Sequence, residues 1–453
     1  MTRRTLLCVF GISLALAGGM PSVTAQPAVA TDRPNVVLII TDDAGYGDFG
    51  VYGAPDIRTP HIDRLARDGV RLTDFYANGA TCTPTRAGLI SGRYQQRYAL
   101  EAPLGTRPKE DAERGLAPSD SFLPRLLKAA GYTTALIGKW HLGWKPEYSP
   151  NAHGFDEFFG FKSGYIDYYQ HTAGTDAPLH ADLFDNDKPV EVTGYMTDLI
   201  TDRALRAIEQ AKAKPFFVEV AYNAPHWPYQ RPDQPSTARD AARHLTPFDH
   251  DTSTRADYVT MVERVDAGVG RILAALDRLD LRRRTIVIFT NDNGGEWLSD
   301  GGPLFNRKWT VWEGGIRVPA IVKWPGHIRA GSVSDQPAAT FDWSASIIAA
   351  AGAAIPARYE GIDVLPILEG RAAKVERTFF WRSAPNSNRT QQAVRQGDWK
   401  LVVDANHMLL FNVREDIGER KDMTSKRPDI VRRLRALLTE WARSVDAEAA
   451  AEK

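Results

Sequence analysis

The sequence predicts an α/β protein, a mostly parallel sheet flanked by helices, followed by a smaller C-terminal α+β subdomain with an antiparallel sheet. Two observations carry this. Apolar β-branched runs alternate with helical stretches through the first 370 residues, the order that builds parallel sheets through helical crossovers. Beyond that point the rhythm changes to short strands separated by polar turns.

In order, "PNVVLII" at 34–40 suits a strand buried on both faces. "TPHIDRLARDG" opens with a helix start signal and closes on glycine. "SFLPRLLKAAG" then "YTTALIG" repeats the helix-then-strand order, as do "MTDLITDRALRAIEQAKA" before "PFFVEVAY" and "ADYVTMVERVDAGVGRILAALDRL" before "TIVIFT". The stretch from Arg231 to Thr254 reads as a surface loop. After "VLPILEG" come the strands of "RTFFW", "QAVRQGDWKLVV" and "HMLLFNV", then a helix from about Pro428 to Arg443. This divides the chain into a catalytic α/β domain at 33–370 and a C-terminal subdomain at 371–446.

Residues 1–25 read as a signal peptide: basic "MTRR", a short apolar run, and small residues before a cut. The mature protein is then exported, periplasmic or secreted. No later stretch is apolar and long enough for a membrane helix, so a soluble chain is expected. Losing Arg3 and Arg4 leaves 54 basic residues against 56 acidic ones. Neither nucleic acid nor a membrane surface is an expected partner. Cys8 leaves with the peptide, and Cys82 remains with no internal partner. A buried structural thiol, an intermolecular disulfide and a chemically active or modified residue are all open to it.

Oxygen-rich clusters follow two of the predicted strands: "TDDAGYGD" after the first and "NDNGGE" after "TIVIFT". Ligands of open α/β sheets bind at the carboxyl ends of strands, so the two could face one site. Asp42, Asp43, Asp292 and Asn293 offer hard oxygen ligands, which suit calcium or magnesium better than zinc. Glycines 45, 47, 294 and 295 would let the backbone bend there. The plainer reading is that these residues only end strands and begin turns.

Cationic candidates sit in similar places. "IGKWHLG" puts Lys139 and His141 two apart on an extended segment, hence on one side. "AYNAPHWP" holds His226 between two prolines, and "NRKWTVWEGG" places Lys308 among aromatics. In "TCTPTRAGLISGRY", Pro84 suits a first helical turn and Arg86 lies four residues after Cys82, on the same helix face. A helix amino end there would favour an anion.

"CTPTRAGLISGRY" resembles the signature of the type I, formylglycine-dependent sulfatases, an arylsulfatase and N-acetylgalactosamine-6-sulfatase-like group of the alkaline phosphatase superfamily. "PNVVLIITDDAGYGDFGVYG", "GYTTALIGKWHLG", "NAPHWP", "FTNDNGG", "RKWTVWEGGIRVPAIVKWPG" and "AVRQGDWKLV" follow in that family's order, over nearly the whole mature chain. The resemblance implies an alkaline-phosphatase-like fold, one calcium ion, and oxidation of Cys82 to formylglycine (3-oxoalanine) by a separate maturation enzyme. The hydrated aldehyde is a geminal diol: one oxygen attacks the sulfate ester, and deprotonating the other then expels sulfate. By resemblance Asp42, Asp43, Asp292 and Asn293, with an oxygen of residue 82, hold the cation. Arg86 and Lys139 would fix the diol, and His141 would take its proton. Lys308 would bind sulfate, and His226 would protonate the leaving oxygen.

The implied substrate is a sulfated carbohydrate or an aryl sulfate. "GYIDYYQHT", "HWPYQRP" and "EWLSDGG" mix aromatic and hydrogen-bonding groups as sugar sites do. Two other readings stand beside this one: a phosphonate monoester or phosphodiester hydrolase of the same superfamily, and an inactive, calcium-stabilised glycan-binding protein.

Overall fold

The structure, a computed structural model, describes residues 1–2, 33–105, 113–174, 179–235, 253–383 and 390–451. The signal-peptide stretch, apart from its first two residues, and most of the 231–254 loop lie outside the described residues.

Five parallel strands form the centre of a ten-stranded sheet, in the order Thr285–Asn291, Asn35–Thr41, Phe216–Ala221, Thr133–Lys139 and Glu157–Phe161. Ala320–Lys323 joins one side antiparallel, followed by Val70–Leu72 and Ser332–Ser334. The other side ends in the two short strands Phe184–Asp185 and Lys188–Pro189.

The β-branched run Asn35–Thr41 is buried throughout, and its alternate side chains enter different cores. Val37 and Ile39 pack in one cluster with residues of the helices Met196–Ala211 and Arg255–Arg278. Val36, Leu38 and Ile40 pack in a second with residues of Cys82–Ser91, Leu123–Ala129 and Thr340–Ala350. Each fully buried side chain of this kind contributes about 1.5–3 kcal/mol. The same alternation places Ile286 and Ile288 of the neighbouring strand in the second cluster. Since Ile40 pairs with Thr290, continuing the phase by two residues carries Asp42 and Asp292 toward the face covered by the helix of Cys82.

That helix starts after extended Thr81 and stops at Gly92, where a φ of 70° turns the chain and its N–H bonds to Gly88. All ten of its residues are buried.

A four-stranded antiparallel sheet follows, in the order Thr378–Ser383, Gln391–Gln396, Trp399–Asp404 and His407–Asn412. The final helix is Pro428–Ala451, longer than expected, because the alanine- and glutamate-rich sequence beyond Arg443 favours continuation. Phe379, Trp381, Leu401, Leu434 and Trp441 share a core with Tyr76, Val311, Trp312 and Phe341 of the larger part. Residues 33–453 form one compact unit. Among the described residues no helix is long and apolar enough to cross a membrane.

Candidate active site

The first strand ends at Thr41, and the backbone turns sharply at Asp43, whose φ of 67° lies in the left-handed region that a side chain disfavours. His141 and Trp309 do the same, with φ of 59° and 75°. Such conformations persist where the surroundings over-determine them, and here they cluster about one buried point. The strand carrying Lys139 ends at that residue, so His141 does not share its face by extended alternation. The left-handed turn aims it instead. Gly45 and Gly294 serve close approach and not positive φ: an added Cβ would lie 2.1 Å from the carbonyl oxygen of Asp300 and 1.9 Å from that of Gly314 respectively.

All ten candidates are buried. Lys139 Nζ donates to Asp42 Oδ2 at 2.5 Å, and Lys308 Nζ to Asp43 Oδ2 at 2.7 Å. Arg86 donates to Asp292 Oδ2 at 2.9 Å and to the carbonyl of Lys139 at 3.1 Å. Asn293 Nδ2 donates to Asp43 Oδ1 at 2.7 Å, and His226 Nε2 lies 3.4 Å from Asp43 Oδ2. One ligand atom each from Asp42, Cys82 and Asp292 lies within 4.8 Å of the others.

These bonds leave a pattern. Asp42 Oδ1, Asp292 Oδ1 and Asn293 Oδ1 are buried with no hydrogen-bond partner among the described residues. A buried polar oxygen without a partner is costly, and two carboxylate oxygens and one amide oxygen match the kind of ligand a hard cation takes. The titrations agree. Burial and the facing Asp292 push Asp42 well above the usual carboxylate range, against Lys139. Burial works the same way on Asp43, yet Lys308 and His226 outweigh it and hold that carboxyl well below the usual range. Lys308 rises well above an ordinary lysine, because Asp43 and Glu296 outweigh its own burial.

Burial pushes the Cys82 thiol up, with Lys139 and Lys308 pulling the other way, so the sulfur is not a preformed thiolate. Burial, reinforced by Lys139, lowers His141 far below an ordinary histidine. Its Nε2 lies 2.9 Å from the carbonyl of Leu104, an acceptor, so Nε2 carries the proton and Nδ1 is a buried lone pair without a hydrogen-bond partner among the described residues. His226 is the reverse tautomer: Nδ1 faces the carbonyl of Trp227 at 2.6 Å, leaving Nε2 toward Asp43. Burial also lowers His226, against Asp43, and Lys308 and Lys139 add to the lowering.

Several surrounding residues were not singled out in the sequence, although Glu296 and Tyr165 lie in segments noted there, "NDNGGE" and "GYIDYYQHT". Glu296 accepts from Trp309 Nε1 at 3.2 Å and lies 3.5 Å from Lys308 Nζ. Thr83 Oγ1 donates to the carbonyl of His141 at 3.0 Å, tying that turn to the helix of Cys82. The ring of Tyr165 lies parallel to that of His226, centroids 6.1 Å apart. Glu219, on the central strand Phe216–Ala221, is buried with Arg86 as its charged neighbour.

A family model described as Sulfatase matches residues 34–353, more than half of the chain. The chain belongs to the sulfatase family. A second model, N-sulphoglucosamine sulphohydrolase, C-terminal, matches residues 302–444 of this sulfatase. Its relatives include N-acetylgalactosamine-6-sulfatase of Mus musculus, 35% identical over 87% of this chain and 75% of that protein. Arylsulfatase A of Bos taurus is 34% identical over 86% of this chain and 77% of its own. Among solved structures, Ps i-CgsB superposes with a TM-score of 0.81 at 31% identity, covering 90% of this chain and 92% of that one. The sulfatase is thus a sulfuric ester hydrolase with the fold the sequence predicts.

Proposed function

We propose that this sulfatase removes sulfate from a sulfated carbohydrate, using a formylglycine made from Cys82 by a separate maturation enzyme and one calcium ion held by Asp42, Asp43, residue 82, Asp292 and Asn293. The observation that carries the reading is the set of unpartnered buried oxygens of Asp42, Asp292 and Asn293 beside Cys82. Asp43 joins by a different route, with both oxygens already engaged by Asn293, Lys308 and His226. The sugar substrate is supported by relatives: one is named for N-acetylgalactosamine 6-sulfate, and Ps i-CgsB was also solved in complex with k-i-k-neocarrahexaose. We also take the chain to be exported, residues 33–370 to be the catalytic domain, and residues 371–446 to be the C-terminal subdomain.

A hydrated formylglycine supplies a nucleophilic oxygen and a second hydroxyl whose deprotonation expels sulfate. A calcium ion held by Asp42, Asp43, Asp292 and Asn293 would supply positive charge that offsets the negative charge developing in the reaction. Residues of the chain do the rest. Arg86 and Lys139, fixed by Asp292 and Asp42, place positive charge beside residue 82. Lys308 offers its ammonium to sulfate oxygens. His141 Nδ1, kept bare by the bond at Nε2, is shaped to accept the hydroxyl proton. His226 must donate, which requires its protonated form. A sulfate ester against Nε2 adds the negative charge that favours that form, and Asp43 helps.

The test is chemical. Protein from a host that modifies Cys82 should turn over an aryl sulfate, lose activity on chelation and regain it with calcium. The peptide holding residue 82 should carry an aldehyde by mass. Cys82→Ser and Cys82→Ala should fold yet fall by about 10⁶-fold. Full turnover by Cys82→Ser would rule out the diol.

A further inference from the structure

Asn223 is 1% exposed, and neither Nδ2 nor Oδ1 of its side chain has a hydrogen-bond partner among the described residues. It is the one side chain among them whose buried donor and buried acceptor are both left so. Burying an amide in that state costs stability, which a purely structural residue has no reason to retain. The fold does use its backbone. The Asn223 carbonyl accepts from the N–H of His226 at 2.9 Å and from the Tyr168 hydroxyl at 3.0 Å, which fixes the turn that carries His226. The carboxamide takes no part in that turn. Asn223 stands two residues past the strand Phe216–Ala221, which lies between the strand leading into Asp42 and the strand ending in Lys139. Lys139 and Asp42 join at 2.5 Å across the end of that middle strand, and the Asp42 N–H bonds to the carbonyl of Ala224 at 3.2 Å. Alternation gives the direction of the side chain. Phe216, Val218, Val220, Tyr222 and Ala224 all pack in the core of Val37 and Ile39, so Asn223 points the other way, to the side of Asp42 and the Cys82 helix.

The partner is named by its chemistry. A cation suits the bare oxygens of Asp42, Asp292 and Asn293, and would suit Oδ1 of Asn223, but it repels the N–H groups of Nδ2. A sulfate oxygen accepts from Nδ2 and leaves Oδ1 unanswered, because it carries no proton. Hydroxyls both donate and accept, and two of them on one carbon or on adjacent carbons answer both ends of a carboxamide. We propose that Asn223 holds a diol in the reaction site, Oδ1 accepting from one hydroxyl and Nδ2 donating to the other. Two diols belong to the reaction as read above: the hydrated residue 82, and neighbouring hydroxyls on the sugar beside the ester. The inference deepens the formylglycine and carbohydrate readings of the site and rests on them. It adds a neutral binding group to a set otherwise made of charged side chains and two histidines.

The experiment compares kcat, KM and Tm of the mature enzyme, Asn223→Leu and Asn223→Ala in saturating calcium, with the aldehyde at residue 82 quantified by peptide mass in each. The substrates are a chromogenic aryl sulfate, a sulfated monosaccharide, and the same sugar sulfate deoxygenated beside the ester. Asn223→Leu replaces two unpartnered polar atoms by apolar ones and keeps the backbone carbonyl that fixes the His226 turn, so Tm without substrate should hold or rise. Asn223→Ala repeats the test without added bulk. Turnover of the sugar sulfate should nonetheless fall by about 10- to 100-fold in both. If the diol is that of residue 82, kcat falls alike on all three substrates, since the aryl sulfate brings no diol of its own. If it is the sugar's, the parent discriminates against the deoxygenated sugar by a similar factor, chiefly through KM, and both variants lose that discrimination. The proposal is overturned if both variants stay within about twofold of the parent on every substrate, as for a residue outside the reaction. It is overturned equally if their loss of turnover comes with a lower Tm and a smaller calcium-induced rise in Tm, the mark of a merely structural side chain. A parent that lacks the aldehyde and turns over no sulfate ester overturns the underlying reading, and the role of Asn223 falls with it.

Discussion

Two buried clusters of ionised side chains lie in this molecule, and only one is a candidate for chemistry. Where the small sheet meets the body, Glu313 accepts from Lys400 at 2.8 Å on one oxygen, and from Tyr76 at 2.7 Å and Arg317 at 3.0 Å on the other. Arg395 grips Asp74 with two bonds of 3.0 and 2.9 Å, and Glu419 takes the N–H of Glu313 at 2.7 Å. Three carboxylates there, Asp74, Glu313 and Glu419, face three cations, Arg317, Arg395 and Lys400. At the site, four carboxylates, Asp42, Asp43, Asp292 and Glu296, face only Arg86, Lys139 and Lys308. The shifts do not separate the two: Lys400 and Arg317 overcome burial and bring Glu313 down to about 2 while burial takes Glu419 up to about 7, and at the site Asp43 goes down while Asp42 goes up. Burial of charge therefore does not mark an active site. What sets the site apart is an excess of carboxylates over cations with oxygens of both Asp42 and Asp292 left without a hydrogen-bond partner among the described residues, which leaves negative potential for a cation to offset.

The sharpest way to break that contrast is to neutralise one carboxylate in each cluster. Asp42→Asn keeps an acceptor for Lys139 and removes repulsion from Asp292, so stability without calcium should hold or rise slightly. Turnover should fall by about 10⁴-fold, since an ion contributes several kcal/mol to charge stabilisation, and the rise in Tm on adding calcium should vanish. Glu313→Gln should do the opposite. It removes the charge between Lys400 and Arg317, leaving them Glu419 and Asp74 as acidic partners, costs about 3–5 kcal/mol of stability, and leaves both kcat at 25 °C and the calcium shift in place. Thermal melts with and without calcium, beside aryl sulfate kinetics, decide it. Equal calcium shifts in parent and Asp42→Asn would erase the distinction drawn here.

The two histidines sharpen the contrast within the site. His226→Ala should slow sugar sulfates by about 10²-fold or more while sparing a nitrophenyl sulfate, whose leaving oxygen scarcely needs a proton. His141→Ala should slow release of sulfate for every leaving group, and intact-mass analysis should show sulfated enzyme accumulating. A flat response of His226→Ala across aryl sulfates of graded acidity would move proton donation to Lys308.

What could be read in advance follows the same division. Asp42, Asp292 and His226 announce themselves because each stands just past an apolar run, within a few residues of glycine or proline, whereas Lys308 is marked only by its aromatic neighbours. Periodicity gave the parallel sheet, since strands buried on both faces are written as unbroken β-branched runs. Glu313 lay unremarked within "RKWTVWEGG", for its worth depends on Lys400 and Arg395, which only the fold brings to it. Thr83 is silent for that reason too. His141 was placed for the wrong cause: its aim comes from a left-handed turn that alternation along a strand cannot express. Glycines 45 and 294 were noted, yet neither has a positive φ, and the neighbouring backbone that requires them is distant in sequence.

Glu219 belongs to neither cluster and gives the smallest effect. It pairs with Leu38 in the centre of the parallel sheet, and the alternation that sends Phe217 into the second core turns it to the side of the Cys82 helix. Burial raises its carboxyl to about 7, with Arg86 opposing. Its Oε2 and the Nε of Arg86 are both buried with no hydrogen-bond partner among the described residues. The ordinary value in an unfolded chain is 4.5. Between 4.5 and about 7 the folded protein therefore holds this proton more tightly than the unfolded one. The stability it contributes is fully present below the lower value and is lost as pH rises through the upper one. That loss should amount to about 1–3 kcal/mol by pH 8.5. Glu219→Gln keeps the shape of the protonated acid and cannot ionise. Urea unfolding from pH 5 to 8.5 in saturating calcium should find variant and parent close at pH 5, with the variant more stable at pH 8.5. Parallel curves across that range would show that Glu219 ionises at its ordinary pKa, or that another group compensates for it, and would remove it as the counterpart that Arg86 finds on the side away from Asp292.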